Sequence, residues 1–139
     1  MLKIIVDTNV FVSALIQRSY PYLIVDAVFA DPAVELCLSD DLFQEYVDVL
    51  NRKRFTKFPN FLANAQLLLA DIETRAKKYH PTSKLHIIKD DSDNKLLELA
   101  EVSKAHYLIT GNTNDFTLDR FKETQVVNPK TFWELYLER

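Results

Sequence analysis

The stretch "LKIIVDTN", residues 2–9, sets a short apolar run with three β-branched letters, Ile4, Ile5 and Val6, directly against an acid, Asp7. A run of this kind, without in–out alternation, suits a strand covered on both faces, as in a parallel sheet. Three further runs share the pattern: "VELCL" (34–38), "YLIT" (107–110) and "TQVV" (124–127), with "LHIIK" (85–89) as a fifth, weaker strand. Apolar letters at helical spacing fill the intervals 9–16, 20–30, about 40–54, 59–79, 93–104 and 130–138. Pro21 suits a first helical turn. Ser39 reads as an N-cap, followed by Asp40 and Asp41 where carboxylates favour the helix dipole. Strands alternating with helices imply right-handed crossovers. The expectation is one domain over residues 1–139, a three-layer α/β/α fold around a mainly parallel sheet of four to five strands.

With 139 residues and 47% hydrophobic letters, the chain is long enough to bury a core of its own. Seventeen basic residues stand against 20 acidic ones, net −3. Binding nucleic acid by bulk positive charge is therefore excluded; contact with a polyanion needs help, for which a bound divalent metal is the natural source. The lone Cys37 allows no intramolecular disulfide and fits a reducing compartment. No apolar run approaches the roughly 18 residues that span a bilayer. The start "MLKIIVD" meets an acid before a signal-peptide core could form. These features predict a cytoplasmic protein with no membrane contact. A single glycine, Gly111, rules out glycine-rich phosphate loops.

Ligands of open parallel sheets bind beyond the carboxyl ends of the strands. Asp7 follows the first strand; Asp90, Asp91 and Asp93 follow "LHIIK"; Gly111-Asn112 follows "YLIT", with Asp115 three residues on. Glu45 lies in the helix after "VELCL", on the edge of the stripe made by Leu42 and Val49. No lysine or arginine directly follows these strand ends. Carboxylates gathered without partners repel, and protonation or a cation must relieve them. Oxygen-only ligands suit Mg²⁺ or Mn²⁺, and such a site points to metal-dependent phosphodiester hydrolysis. Each acid also has a plainer role: Asp7 and Asp93 as helix caps, Asp90 and Asp91 as turn residues, Glu45 as a solvated helix residue.

Taken in order, these segments resemble the PIN-domain family, of the VapC-like ribonuclease toxin kind. "IIVDTNVFVSAL" is similar to its first motif, which implies Asp7 as the first metal-binding acid and Thr8, Asn9 and Ser13 as its polar neighbours. "LSDDLFQEYVDVLNRKRF" resembles the second and implies Glu45 as the second acid. "DDSDNKLLELAEVSKAHYLITGN" resembles the third and fourth together, with Asp93 as the third acid and Thr110 beside the fourth position. There the family usually has Asp, and this chain has Asn112, whose carbonyl can serve a metal or water but brings no charge. Asp115 is the nearest substitute. The resemblance implies Mg²⁺- or Mn²⁺-dependent cleavage of single-stranded RNA with Asp7, Glu45 and Asp93 as catalytic ligands. It also implies a homodimer or higher homo-oligomer, and inhibition by a small antitoxin.

Asn112 motivates a second reading, a catalytically weakened PIN-like module that binds RNA or antitoxin. A phosphoaspartyl or receiver-like domain is a third, but "DTN" lacks the second acid of a D-x-D pattern and the late strands end in "TGN" and "VNP", without a lysine in the right place. "NRKRFTKF" (51–58) sets Arg52, Lys53, Arg54 and Lys57 among Phe55 and Phe58, either a phosphate-and-base surface or cations at a helix end. His80, His86 and His106 stand apart from the acids and read as structural or solvent residues; Trp133 and Tyr136 read as packing.

Overall fold

The structure, a computed structural model, describes residues 1–86, 91–111 and 119–139, with the side chains of residues 91 and 92 outside that description. Along the chain run β1 (Leu2–Val6), α1 (Thr8–Ile16), α2 (Tyr20–Ala30), β2 (Val34–Leu38), α3 (Asp40–Leu50), a 3₁₀ turn (Lys53–Phe55) and α4 (Phe61–Arg75). There follow β3 (Lys77–Lys78), α5 (Asp91–Ser103), β4 (Tyr107–Ile109), β5 (Arg120–Phe121), β6 (Thr124–Val127) and α6 (Pro129–Leu137). The sheet order is β3-β2-β1-β4-β6-β5, parallel throughout except for the β5–β6 pair.

The four apolar runs expected as strands are β1, β2, β4 and β6. "LHIIK" is not borne out where it can be followed: Leu85 and His86 lie outside any strand, and residues 87–90, Asp90 included, fall outside the described residues. The sheet has six strands rather than four to five because two-residue strands extend both edges. β3 consists of two exposed lysines, so it carries no hydrophobic pattern. The sequence pattern places these residues in the tail of a helix over 59–79, but the helix stops at Arg75, and Ala76 turns extended at φ −71°, ψ 146°. Charged, short edge strands of this kind also resist pairing with other chains. The helix expected over 40–54 ends at Leu50, and the one expected from 93 begins at Asp91.

Right-handed crossovers from β1 through β2 to β3 place α1–α4 on one side, and the return to β4 places α5 on the other. In agreement, α5 packs on β1, β2 and β5, whereas α6 packs on β4 and against α2. The fully covered strand residues Ile4, Ile5, Cys37, Leu108 and Ile109 form the middle of the core, joined by Phe11, Ile24, Leu42, Tyr46 and Phe132 from the helices. Burying each such aliphatic or aromatic side chain is worth about 1.5–3 kcal/mol. Burial pushes the Cys37 thiol up to about 12, which makes it a packing residue and no nucleophile.

Register decides where the strands end. Val6, Ile109 and Val127 are mutual partners across β1, β4 and β6. The residues after them, Asp7, Thr110 and Asn128, therefore stand side by side at the carboxyl edge. The β1–β2 register, Ile4 opposite Leu36, brings Ser39 alongside Asp7 when continued. Strand order reverses between β1 and β4, and the crevice of such a sheet opens at that reversal.

Candidate functional site

Asp7 occupies the reversal point. Its backbone has N-cap geometry for α1, φ −66° and ψ 144°, yet its side chain makes no capping hydrogen bond. Instead the Thr110 hydroxyl, fully buried at the end of β4, donates to Asp7 Oδ2 at 2.7 Å. The Asp7 amide donates to the Ile109 carbonyl at 2.9 Å, which locks the two strand ends together. The carboxylate thus interacts with a neighbouring strand as well as with the first amides of α1. Asp7 is only 5% exposed, and burial pushes its pKa above the ordinary carboxylate range; the Thr110 hydrogen bond lowers it in part, and the Glu45 charge raises it further.

Glu45 reaches the same place from α3. Thr8, buried in the first turn of α1, donates its hydroxyl to Glu45 Oε2. Lys95 Nζ from α5 lies 3.0 Å from Glu45 Oε1. The position of α3 is set by its neighbour Tyr46, fully buried, whose hydroxyl donates to the Val6 carbonyl and whose ring meets Phe11 edge-on at 5.0 Å. The Ser39 hydroxyl caps the helix by accepting from the Leu42 amide at 3.2 Å, with Asp40 and Asp41 in the first turn as expected.

The structure therefore joins Asp7, Thr8, Glu45 and Thr110. Asn9 is exposed and Ser13 half-buried, both on α1. Asp93 is half-buried in the first turn of α5, two residues before Lys95. Among the described residues, no group of three or more His, Cys, Asp or Glu side chains lies close enough to hold a metal ion. Asn112 and Asp115 fall outside the described residues, as does the side chain of Asp91. Two carboxylates, one buried and repelled by the other, with hydroxyls around them, still fit a hard divalent cation. Mg²⁺ is ordinarily held by one or two carboxylates, with waters and substrate phosphates completing its shell.

The residues overlooked in the sequence are Lys95 and Tyr46 in this positioning role. No lysine directly follows these strand ends in the sequence; Lys95 arrives from within a helix on another segment. "NRKRFTKF" is corrected in part. Phe55 is 8% exposed and stacks on Phe61 at 4.9 Å, and Phe58 is half-buried, so these rings serve the core rather than bases. Arg52, Lys53, Arg54 and Lys57 are exposed, with Arg54 over Phe55 and Lys57 over Phe58. They lie beyond the last turn of α3, which itself holds no basic residue. His106 is structural: its Nδ1 accepts from the Lys3 amide at 3.0 Å. Trp133 and Tyr136 stack on each other, and the Tyr136 hydroxyl donates to Asp31.

A switch-point carboxylate paired with a helix-borne glutamate on an α/β sheet defines a class, and a family model agrees. The PIN domain model matches residues 3–114, and the chain belongs to the PIN-domain family. The chain is 28% identical over 154 aligned positions to an uncharacterised protein of Methanocaldococcus jannaschii, covering 96% of this chain and 90% of that protein. Its fold is similar to that of a chain in the crystal structure of VapBC2 from Rickettsia felis bound to a DNA fragment from its promoter. There the TM-score is 0.59 at 16% identity, covering 91% of this chain and 98% of that one. Among the described residues, no helix is long and apolar enough to cross a membrane.

Proposed function

We propose that the chain is a metal-dependent endoribonuclease acting on single-stranded RNA and the toxin of a toxin–antitoxin pair. The observation that carries the chemistry is the junction at the carboxyl edge, where Thr110 orients Asp7 and Thr8 orients Glu45. Asp7 and Glu45 would hold Mg²⁺ or Mn²⁺, with Asp93 as the third acid and Asn112 or Asp115 completing the shell. Such an ion would acidify a water and neutralise the departing oxygen of a phosphodiester. The protein's own part is positional. Thr110 fixes one Asp7 oxygen, and the Ile109 carbonyl of β4 holds the Asp7 amide. Tyr46 holds α3, and with it Glu45, against the end of β1.

The exposed cations of residues 52–57 offer phosphate contacts for an RNA strand on an otherwise acidic protein. The antitoxin partner is supported by the fold likeness to VapBC2. The family resemblance read from the sequence motivates a homo-oligomer, the chain's length a single domain, and the lone Cys37 a cytoplasmic setting. Asp7→Asn is the decisive test. We expect wild type to cleave single-stranded RNA with Mn²⁺ and the variant to lose both Mn²⁺ binding and cleavage, by a hundredfold or more, on the order of a lost electrostatic group in an active site. Metal-dependent cleavage unchanged in Asp7→Asn would sink the proposal.

A further inference from the structure

Glu45 has both carboxylate oxygens engaged, Oε2 by Thr8 and Oε1 by Lys95 at 3.0 Å. The Lys95–Glu45 pair is about one-quarter and one-fifth exposed, so water screens it only in part. Lys95 does not reach in from a loose loop: its neighbours Asn94 and Leu96 are each 1% exposed, which anchors this turn of α5. The same lysine lines a small cleft of about 230 Å³ with Asp41, Lys84, Leu85, His86 and Glu98. Glu98 lies one turn along the helix from Lys95, the spacing at which side chains meet. It is 7% exposed, accepts the Leu85 amide at 2.9 Å and lies 4.0 Å from Lys84.

We propose that Lys95 is the resident counter-ion of the site: it neutralises Glu45 in the metal-free protein and competes with a divalent cation for that carboxylate. When the cation takes Glu45, the ammonium shifts one turn along α5 to the Glu98 side of the cleft. Lys95 is in this sense a positioning residue that sets metal affinity, and the inference rests on Glu45 being a metal ligand, as proposed above. A lysine with a merely structural role would give the opposite sign on removal, since a loosened site binds metal less well. A competitor, once removed, leaves the site tighter.

Titration calorimetry with MnCl₂ on the wild type, Lys95→Met, Lys95→Gln, Lys95→Arg and Asp7→Asn, each first shown to unfold cooperatively, tests this. Roughly tenfold tighter Mn²⁺ binding is expected for Lys95→Met and Lys95→Gln, from a lost competing charge near a dication. Lys95→Arg, which keeps the charge, should bind as wild type does. Unchanged or weaker binding in both neutral variants, while wild type binds and Asp7→Asn does not, overturns the role of Lys95 alone. No Mn²⁺ binding to wild type or to either neutral variant overturns both this inference and the metal-site reading.

Discussion

Three strands end at one edge of the sheet in a polar residue that opens a helix, and they use it in two ways. After β2 and β6, Ser39 and Asn128 turn onto their own helices and accept the amides of Leu42 and Thr131, at 3.2 and 2.8 Å. After β1, Asp7 has the same kind of extended N-cap backbone, yet its carboxylate, although still stabilised by the Thr8 and Asn9 amides, takes its side-chain hydrogen bond from Thr110 on the neighbouring strand. The first two close a local account of orphan amides. The third leaves a carboxylate oriented by a hydroxyl, buried, and repelled by Glu45. A strand end that bonds only its own helix serves the fold; one whose carboxylate is held across the strand order is available for chemistry.

Substitutions can break this contrast, starting with the largest effect. Asp7→Asn, expected to abolish cleavage, should also stabilise the metal-free protein at neutral pH. The Asp7 pKa is raised in the folded state, mainly by burial, so its contribution to stability is fully present below the unfolded carboxylate pKa and lost as pH rises through the folded one. Thermal unfolding of metal-free wild type and variant should show the gain at pH 7 and its disappearance in acid. A variant less stable than wild type at pH 7 would contradict the assigned cost of this carboxylate.

Thr110→Val comes next. It removes the hydroxyl from a buried carboxylate, which costs about 1–3 kcal/mol, and should lower cleavage while Thr110→Ser restores both; denaturant melts and RNA assays read the two. Ser39→Ala should cost about 1 kcal/mol of stability, as helix caps do, with cleavage by the folded fraction nearly unchanged. A large loss of specific activity there would mean that the two kinds of strand end are not distinct. The smallest effect belongs to Gly111→Ala. An added Cβ would meet nothing within 4 Å, and the glycine's φ is not positive, so stability should change by no more than about 0.5 kcal/mol.

That last case shows how legibility divides. Gly111 is the chain's only glycine, yet the described left-handed backbone falls on Asn60, Lys104 and Lys122. Scarcity in a sequence is not a conformational demand. The long apolar runs and their helices were legible because continuous burial on both faces leaves a periodicity. β3 and β5 were not, since two residues are too few to show a period: β3 is two exposed lysines, and β5 buries the single Phe121. At the site, Asp7 and Glu45 were legible as acids after strands. Lys95 was not, because its relation to Glu45 spans 50 residues and depends on α5 packing beside α3.

The sequence by itself determined the alternation of strands and helices, and hence the edge at which Asp7, Thr110, Ser39 and Asn128 would gather. It did so through local physics: hydrophobic period, cap chemistry and the handedness of crossovers. Only the tertiary structure decided what each of those residues does there. Whether a side chain caps its own helix, meets a hydroxyl across the strand order, or pairs with a lysine from another layer depends on distances between segments far apart in the chain. Burial then turns those distances into energies.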